Sequence, residues 1–424
     1  MMIVIADDLT GATDTGVQFA KKGQQTVVHL KLAEEASFYK DKVSVINSDS
    51  RALSAADAYE RSRRIARTIP FDRQSFLYKK VDSTLRGNIG REIDALMDEL
   101  SFSYCAVAPA YPSNGRTTVE GYHYIHGVLL EESELSKDVK FPMTQSFIPA
   151  LLGEQTTRKV DFISIKALRE GNIGQEVERL RANGVEMIIF DSETDSDLKT
   201  VTQFLQSQEN VLWVGSAGLA QHLSTGYPKV VTKNKPIINK QSAQPTLTIA
   251  GSVSEVTREQ IAYQEEQGAY VLSIHPIQLL KNHEAALLEA LEKAKEILSV
   301  GKDLVVTTLL TKEAKDAVEQ FARESSMEKL ELGNRIASMF GQFASQLIKE
   351  VEVSGLILTG GDIAYQTCLQ LGIDSLEVVE EIEEGIPLCR VMTGTFRNTA
   401  IVTKAGAFGH RSSLHHAMNV IKQT

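Results

Sequence analysis

Three stretches of the 424-residue chain concentrate side chains able to bind charge or move protons. In Ile3 to Asp14, IVIADDLTGATD, an apolar run of strand type empties within a few residues into a helix-compatible segment, and the crossing reads Asp7-Asp8-Leu9-Thr10-Gly11. Two adjacent carboxylates, a hydroxyl and a glycine then stand at the carboxyl end of a strand facing a helix amino terminus, where open α/β sheets bind ligands. Asp8 or Thr10 alone would read as a helix cap, but with Asp14 following, capping does not account for three acids. In Lys79 to Gly90, KKVDSTLRGNIG, a strand delivers Lys80, Asp82 and Ser83 to a loop containing Arg86, Gly87 and Gly90. The helix behind it carries Ile89, Ile93, Leu96, Met97 and Leu100 on one face. Its amino terminus and Arg86 offer oriented amides and a cation to a carboxylate or phosphate, a local Arg86–Asp82 surface pair being the plainer alternative. In Ala108 to Thr118, APAYPSNGRTT, a loop with Pro109, Pro112 and Gly115 either presents Arg116 to an anion or makes a rigid turn.

The second half repeats a different device. Gly251-Ser252-Val253-Ser254 follows the strand Leu247 to Ala250, Thr359-Gly360-Gly361-Asp362 follows Leu356 to Leu358, and Lys404-Ala405-Gly406-Ala407-Phe408-Gly409 follows Ala400 to Thr403. Each sets small residues between a strand and a helix, where backbone amides can approach phosphates closely. Three such turns in one domain point to a nucleotide site. Gly215-Ser216-Ala217-Gly218, a similar turn in the first half, reads better as close helix packing. No G-x-x-x-x-G-K-[ST] and no Gly-x-Gly occurs, which excludes a P-loop and the usual dinucleotide fingerprint. Asp14-Thr15-Gly16 falls inside a predicted helix without a partner copy, and His123 and His126 read as packing or surface residues rather than zinc ligands.

The elements positioning these stretches alternate strand and helix. Strands are expected at Thr26 to Leu30, Val43 to Ile46, Phe76 to Val81, Cys105 to Ala108, Phe162 to Ile165, Met187 to Phe190 and Val211 to Val214, with helices at Ala12 to Lys22, Ala55 to Thr68, Gln175 to Ala182 and Asp197 to Ser207. Past Gly226 the chain carries Pro228, Pro236, Pro245 and four lysines with no acid, the composition of a linker. The βα pattern then restarts with helices Glu255 to Glu266 and Glu284 to Ser299, strands Tyr270 to Ile274 and Leu304 to Thr308, and a long helical region Lys312 to Glu350. The run Glu380, Glu381, Glu383, Glu384 reads as a solvated face. The expectation is two α/β domains with mostly parallel sheets and helices on both faces: residues 1–226, a linker 227–245, and 246–424.

A net charge of −10, with 42% hydrophobic and 24% charged residues, fits a soluble globular protein and offers no basic face for nucleic acid or an anionic membrane. Cys105, Cys368 and Cys389 are too scattered for a disulfide framework or a CxxC site, and a reducing cytoplasm is the simplest setting. No signal peptide or membrane span is expected.

Taken together, ADDLTGATD, KKVDSTLRGNIGREI, APAYPSNGRTT, GSVSEVTREQ, TGGDIA and TKAGAFG resemble the four-carbon acid sugar kinases, in order over nearly the whole chain, most like the D-threonate and D-erythronate branch. The resemblance implies an amino-terminal sugar-acid-binding domain, a carboxyl-terminal ATP-binding domain with the active site in the cleft between them, and phosphorylation of the terminal 4-hydroxyl of threonate, erythronate or 3-oxo-tetronate. By motif it implies substrate contacts from Asp8, Arg51, Lys80, Asp82 and Ser83, to which the anion reading adds Arg86 and Arg116. It implies ATP contacts from Ser252 or Ser254, from Thr359, Gly360, Gly361 and Asp362, and from Gly406. Val253, Ile363 and Tyr111 depart from the family's usual Cys, Thr and Phe. Asp8, the expected chief contact, or Asp82 would accept the proton of the attacking hydroxyl. Arg51 and Lys80 would hold the substrate carboxylate or neutralise phosphate charge. Mg2+ is expected, with Asp7 and Asp362 as candidate ligands, and a homodimer is compatible with the family. A kinase of another small acid or polyol, and a non-catalytic sensor of acid and nucleotide, are the alternatives.

Overall fold

The computed structural model describes residues 1–31, 38, 41–72, 75–137, 141–223, 244–251, 254–281, 283–308 and 311–423. Of the expected linker 227–245 only 244 and 245 fall among them, and Ser252 and Val253 lie outside the described residues. Contacts divide the chain into two units: Met1–Gln25 with Leu32–Val230, and Thr26–Lys31 with Val231–Thr424.

The first unit begins with β1 (Met2–Ala6) and α1 (Leu9–Ala20); after β2 (Thr26–His29), which counts with the second unit, come β3 (Val43–Asn47), α2 (Ala55–Thr68), β4 (Phe76–Lys80), α3 (Ile89–Leu100) and β5 (Tyr104–Ala108). A three-stranded antiparallel sheet, β6 (Arg116–Val119), β7 (Tyr122–Ile125) and β8 (Val128–Leu129), follows. Then come α4 (Ile148–Gly153), β9 (Val160–Ile163), α5 (Ile165–Arg169), α6 (Ile173–Ala182), β10 (Met187–Phe190), α7 (Asp195–Gln206), β11 (Val211–Gly215) and α8 (Ala217–His222). The main sheet runs β3-β1-β4-β11-β5-β10-β9, parallel throughout. Its strands are continuous apolar runs because both faces are covered, and β1 is buried along its whole length. The core gathers Ile3 and Ile5 of β1, Ile93 and Leu96 of α3, and Leu212 and Val214 of β11. β1 lies between β3 and β4, so the strand order reverses at its carboxyl end, the place where ligands bind in such sheets.

The second unit contains β12 (Leu247–Ala250), α9 (Glu255–Glu266), β13 (Tyr270–Ile274), α10 (Pro276–Lys281), α11 (His283–Ser299), β14 (Leu304–Thr308), α12 (Lys312–Ser325), α13 (Lys329–Glu350), β15 (Gly355–Thr359), α14 (Gly361–Gln370), β16 (Ser375–Glu383), β17 (Ile386–Val391), β18 (Ala400–Lys404) and α15 (Ser413–Gln423). The order β13-β14-β12-β15-β18 is parallel, and β17, β16 and β2 continue it antiparallel. Its core joins Ala250, Val305, Ile357 and Val402 to Leu414 and Met418 of α15. Here the order reverses at β12, between β14 and β15.

The α/β class and the mostly parallel sheets agree with the expectation, and several boundaries do not. Helix α1 starts at Leu9 rather than Ala12, because Asp8 caps it by accepting the Gly11 amide at 2.9 Å. The region 312–350 is two helices, broken at Ser326, whose φ of 53° is incompatible with helix continuation. The glutamate run belongs to the β16–β17 hairpin, with Leu376, Val378 and Ile386 packed inward. The β6–β8 sheet had no expectation at all.

Candidate active site

Register brings the three chemical stretches of the first unit to one edge. Ala6 pairs with Asn47 on one side and Lys80 on the other, so the segments leaving β3, β1 and β4 emerge level with one another. Asp7-Asp8, Ser48 to Arg51, and Val81 to Arg86 therefore share the carboxyl edge of the sheet. Arg51 binds both aspartates: Nε and Nη2 donate to Asp7 at 2.7 and 3.0 Å, and Nη1 and Nη2 donate to Asp8 at 2.9 and 2.8 Å. Asp82 Oδ1 lies 4.0 Å from the same guanidinium. Burial would raise the Asp7 carboxyl, but Arg51, Lys79 and Lys80 outweigh it and hold its pKa below the ordinary value. Burial acts on Asp82 in the same way, and Arg86 and Arg51 hold it well below the carboxylate range. Arg51 is correspondingly raised, the aspartates overcoming its own desolvation.

The two candidate bases differ in what they have left to accept. Asp8 receives the Gly11 amide, the Thr10 hydroxyl at 2.6 Å and two Arg51 bonds, which occupies the four lone-pair positions of a carboxylate. Asp82 Oδ2 receives Thr84 and Arg86 Nε, both at 2.5 Å, whereas among the described residues its Oδ1 receives only Arg86 Nη2, at 3.2 Å, within hydrogen-bond distance. Gly11 lets this cluster close up, since a Cβ there would stand 2.6 Å from Asp8 Oδ1 and 3.1 Å from Lys80 Nζ.

Lys80 is the cation that the cluster does not neutralise by contact. It is 4% exposed, and among the described residues its ammonium has one acceptor, the Val81 carbonyl at 2.8 Å. An ammonium carries three donors, so two remain for a ligand at a site where an uncompensated charge is costly. Lys79, one residue earlier, points to the other face and forms a wholly buried ion pair with Glu92 of α3, whose carboxyl burial raises. Ser83 is fixed through its carbonyl, which meets His123 Nε2 at 2.8 Å. Arg116 bonds the Asn114 side chain and carbonyl beside it, and burial lowers its pKa.

In the second unit the same levelling operates. Ala250 pairs with Thr307 and Thr359, and Thr359 with Lys404, so the turns after β12, β15 and β18 share one edge. Gly360 has a φ of 101° and its amide reaches the Lys404 carbonyl at 2.9 Å. Gly361 and Asp362 begin α14, and a Cβ on Gly251 would collide with Ile363 at 2.2 Å, which is why the turns can lie so close. Ser254 caps α9 and donates to the Gly406 carbonyl at 2.7 Å. Five of the six described candidates for nucleotide contact, Ser254, Thr359, Gly360, Gly361 and Gly406, are thus joined by register, chain adjacency or a hydrogen bond. Asp362 stands in the first turn of α14 beside them.

Residues 2–223 match a family model described as a sugar-binding N-terminal domain, and residues 247–414 match a nucleotide-binding C-terminal domain. The chain belongs to the four-carbon acid sugar kinase family. It is 33% identical to a D-threonate kinase of Salmonella typhimurium, over 100% of this chain and 98% of that one. A D-erythronate kinase of Heliobacterium modesticaldum is 29% identical over 96% and 94%. A solved Salmonella typhimurium structure superposes with a TM-score of 0.79 at 24% identity, covering 99% of each chain, and shows the fold.

In this kinase the candidate acid-site residues are held by neighbours that were not themselves among the expected substrate contacts. Thr10, Thr84 and His123 each fix a named candidate, and all three are hydroxyl or imidazole groups close to candidates in sequence or in the fold. His123 is fully buried with its pKa lowered to about 4 by burial, so it holds the Ser83 loop as a neutral ring. Gly215 and Gly218 do serve close packing: a Cβ on either would stand within 2.7 Å of a backbone carbonyl. Among the described residues no group of three His, Cys, Asp or Glu side chains could hold a metal, and no helix is long and apolar enough to cross a membrane.

Proposed function

We propose that the chain transfers the γ-phosphoryl group of ATP to the terminal 4-hydroxyl of D-threonate, giving 4-phospho-D-threonate. Full-length similarity to D-threonate, D-erythronate and 3-oxo-tetronate kinases supports a four-carbon acid as substrate, and D-threonate is chosen because the D-threonate kinase of Salmonella typhimurium is 33% identical against 29% for the other two. The observation that carries the reading is Lys80, a buried ammonium that among the described residues keeps two unused donors beside fixed carboxylates. It suits the carboxylate of a small polyhydroxy acid or the charge of a transferring phosphoryl group.

Asp82 is the better acceptor for the attacking hydroxyl, because among the described residues its Oδ1 retains a free lone-pair position while those of Asp8 are occupied. Its strongly lowered pKa makes it a group that orients the hydroxyl and takes the proton late, as a loose phosphoryl-transfer transition state requires. Asp8 with Arg51 and Thr10 forms the rigid floor against which the acid rests. Arg86 and Arg116 add positive potential, and Ser83 adds a hydroxyl. In the second unit Ser252 or Ser254, Thr359 to Asp362 and Gly406 receive the nucleotide.

A nucleotide-borne Mg2+ needs only one or two protein carboxylates. Asp362, in the first turn of α14 beside the glycine turn, is placed to meet that need. Bound there, the ion would neutralise the phosphate charge. The three cysteines are buried free thiols, consistent with a cytoplasmic enzyme.

The test is Lys80→Met, measured by calorimetric titration with D-threonate and, separately, with ATP. Loss of acid binding with ATP binding retained is expected, and unchanged acid affinity would overturn the assignment.

A further inference from the structure

Lys404 ends β18 and is 0% exposed, yet among the described residues it has no carboxylate partner. Its ammonium instead donates to the carbonyls of Ala405, Gly406 and Phe408 at 2.9, 3.0 and 3.1 Å, with Thr257 Oγ1 at 3.4 Å. Burial lowers its pKa to about 7, while three carbonyl acceptors call for all three protons of the charged form. Side chains of α9 hold two of the same carbonyls and one beyond them: Thr257 donates to Gly406 O at 2.9 Å, and Gln260 donates to Phe408 O and His410 O at 3.0 Å each.

The geometry of the peptide unit turns this into a statement about amides. In a trans peptide the carbonyl of one residue and the N–H of the next point in opposite directions, and the peptide bonds here are trans. Drawing the carbonyls of residues 405, 406 and 408 towards one ammonium therefore turns the N–H groups of Gly406, Ala407 and Gly409 away from it. Among the described residues none of these three amides has a hydrogen-bond partner, and Ala407 and Gly409 are exposed. Gly409 has a φ of 80°, which a side chain would strain. Successive outward amides of this kind form an anion-binding concavity.

We infer that Lys404 is the positioning residue of a polyphosphate cradle: by gathering three carbonyls beneath the turn it aims the amides of Gly406, Ala407 and Gly409 at the phosphate chain of the nucleotide. This rests on reading the turn as part of the ATP site. It adds to that reading two amides and a buried cation that makes no direct contact with the ligand.

Two measurements test it. In the wild type, tripolyphosphate should shift the amide resonances of Gly406, Ala407 and Gly409, and their failure to move while tripolyphosphate binds would overturn the inference. In Lys404→Met, and in Lys404→Gln should the first variant fold poorly, tripolyphosphate affinity should fall at least about tenfold, the equivalent of one or two lost hydrogen bonds. KM for ATP should rise in parallel with kcat little changed, and adenosine affinity should stay within about twofold, a margin set by the local nature of the change. Equal weakening of adenosine and tripolyphosphate would make Lys404 a merely structural residue, and unchanged tripolyphosphate affinity would remove it from the site. A wild type that binds neither ATP nor tripolyphosphate would instead refute the nucleotide reading itself.

Discussion

Replacing Arg51 by methionine keeps most of the side-chain volume and removes the cation that holds Asp7 and Asp8 together. Four hydrogen bonds are lost, and the Asp7 side chain, 4% exposed, is left beside a second carboxylate. Removing one partner of a buried ion pair costs about 3–5 kcal/mol. For a unit of this size that corresponds to a fall in melting temperature of roughly 6–20 °C. The pH dependence should also change sign. In the wild type the Asp7 carboxyl lies below its ordinary value, so its stabilising contribution is complete above about pH 4 and is lost as pH falls through the lowered folded-state pKa. Without Arg51, burial, the largest influence on Asp7, is opposed by Lys79 and Lys80 alone and is expected to raise the carboxyl, so stability should fall as pH rises from about 4 through the raised value. Differential scanning fluorimetry between about pH 4 and 7 reads both effects, in the window where an unperturbed aspartate is already ionised. A variant melting within a degree or two of the wild type, with the same pH slope, would refute the claim that Arg51 is held by, and holds, the two aspartates.

Two further substitutions separate roles within the proposed acid site. Asp82→Asn should lower kcat by at least about 100-fold, the lower range for loss of a positioned acid–base group, with ATP binding by calorimetry unchanged, whereas undiminished turnover would remove Asp82 from the chemistry. His123→Gln should flatten the loss of stability as pH falls from about 6.5 to about 4, because a ring with a folded-state pKa near 4 binds its proton more readily when unfolded; an unchanged slope in thermal melts would show that His123 is not buried neutral.

Most of the frame was legible because βα repetition leaves short apolar runs at regular intervals, and β1, β5 and β12 are such runs. The hairpin β16–β17 escaped because glutamates at 380, 381 and 383 occupy a strand, residues of poor strand preference that only pairing with β17 accommodates. The partner of β2 could not be read either, since β16 lies more than three hundred residues further on in sequence and no local pattern encodes such a pairing. At the site, charge and glycine spacing identified the stretches, and the local Arg86–Asp82 pair weighed against a ligand reading is present, whereas the pairing between stretches was beyond reach. Asp7, Asp8, Arg51, Asp82 and Arg86 are separated by turns whose carboxyl-edge convergence depends on the strand order β3-β1-β4. Lys404 was visible only as one letter of a glycine turn. A lysine at a strand end gives no sign of pointing into a ring of carbonyls until the turn is built.

The proposed reaction is transfer of phosphate from ATP to the terminal hydroxyl of a four-carbon sugar acid. Coupled ADP release with D-threonate, D-erythronate and 3-oxo-tetronate, followed by NMR location of the phosphate in the product, tests it directly. ADP release highest with D-threonate, with phosphorus coupled to the C4 methylene, is the predicted result. Absence of ADP release with every four-carbon acid in the presence of Mg2+, or phosphate carried at any other carbon, would contradict it.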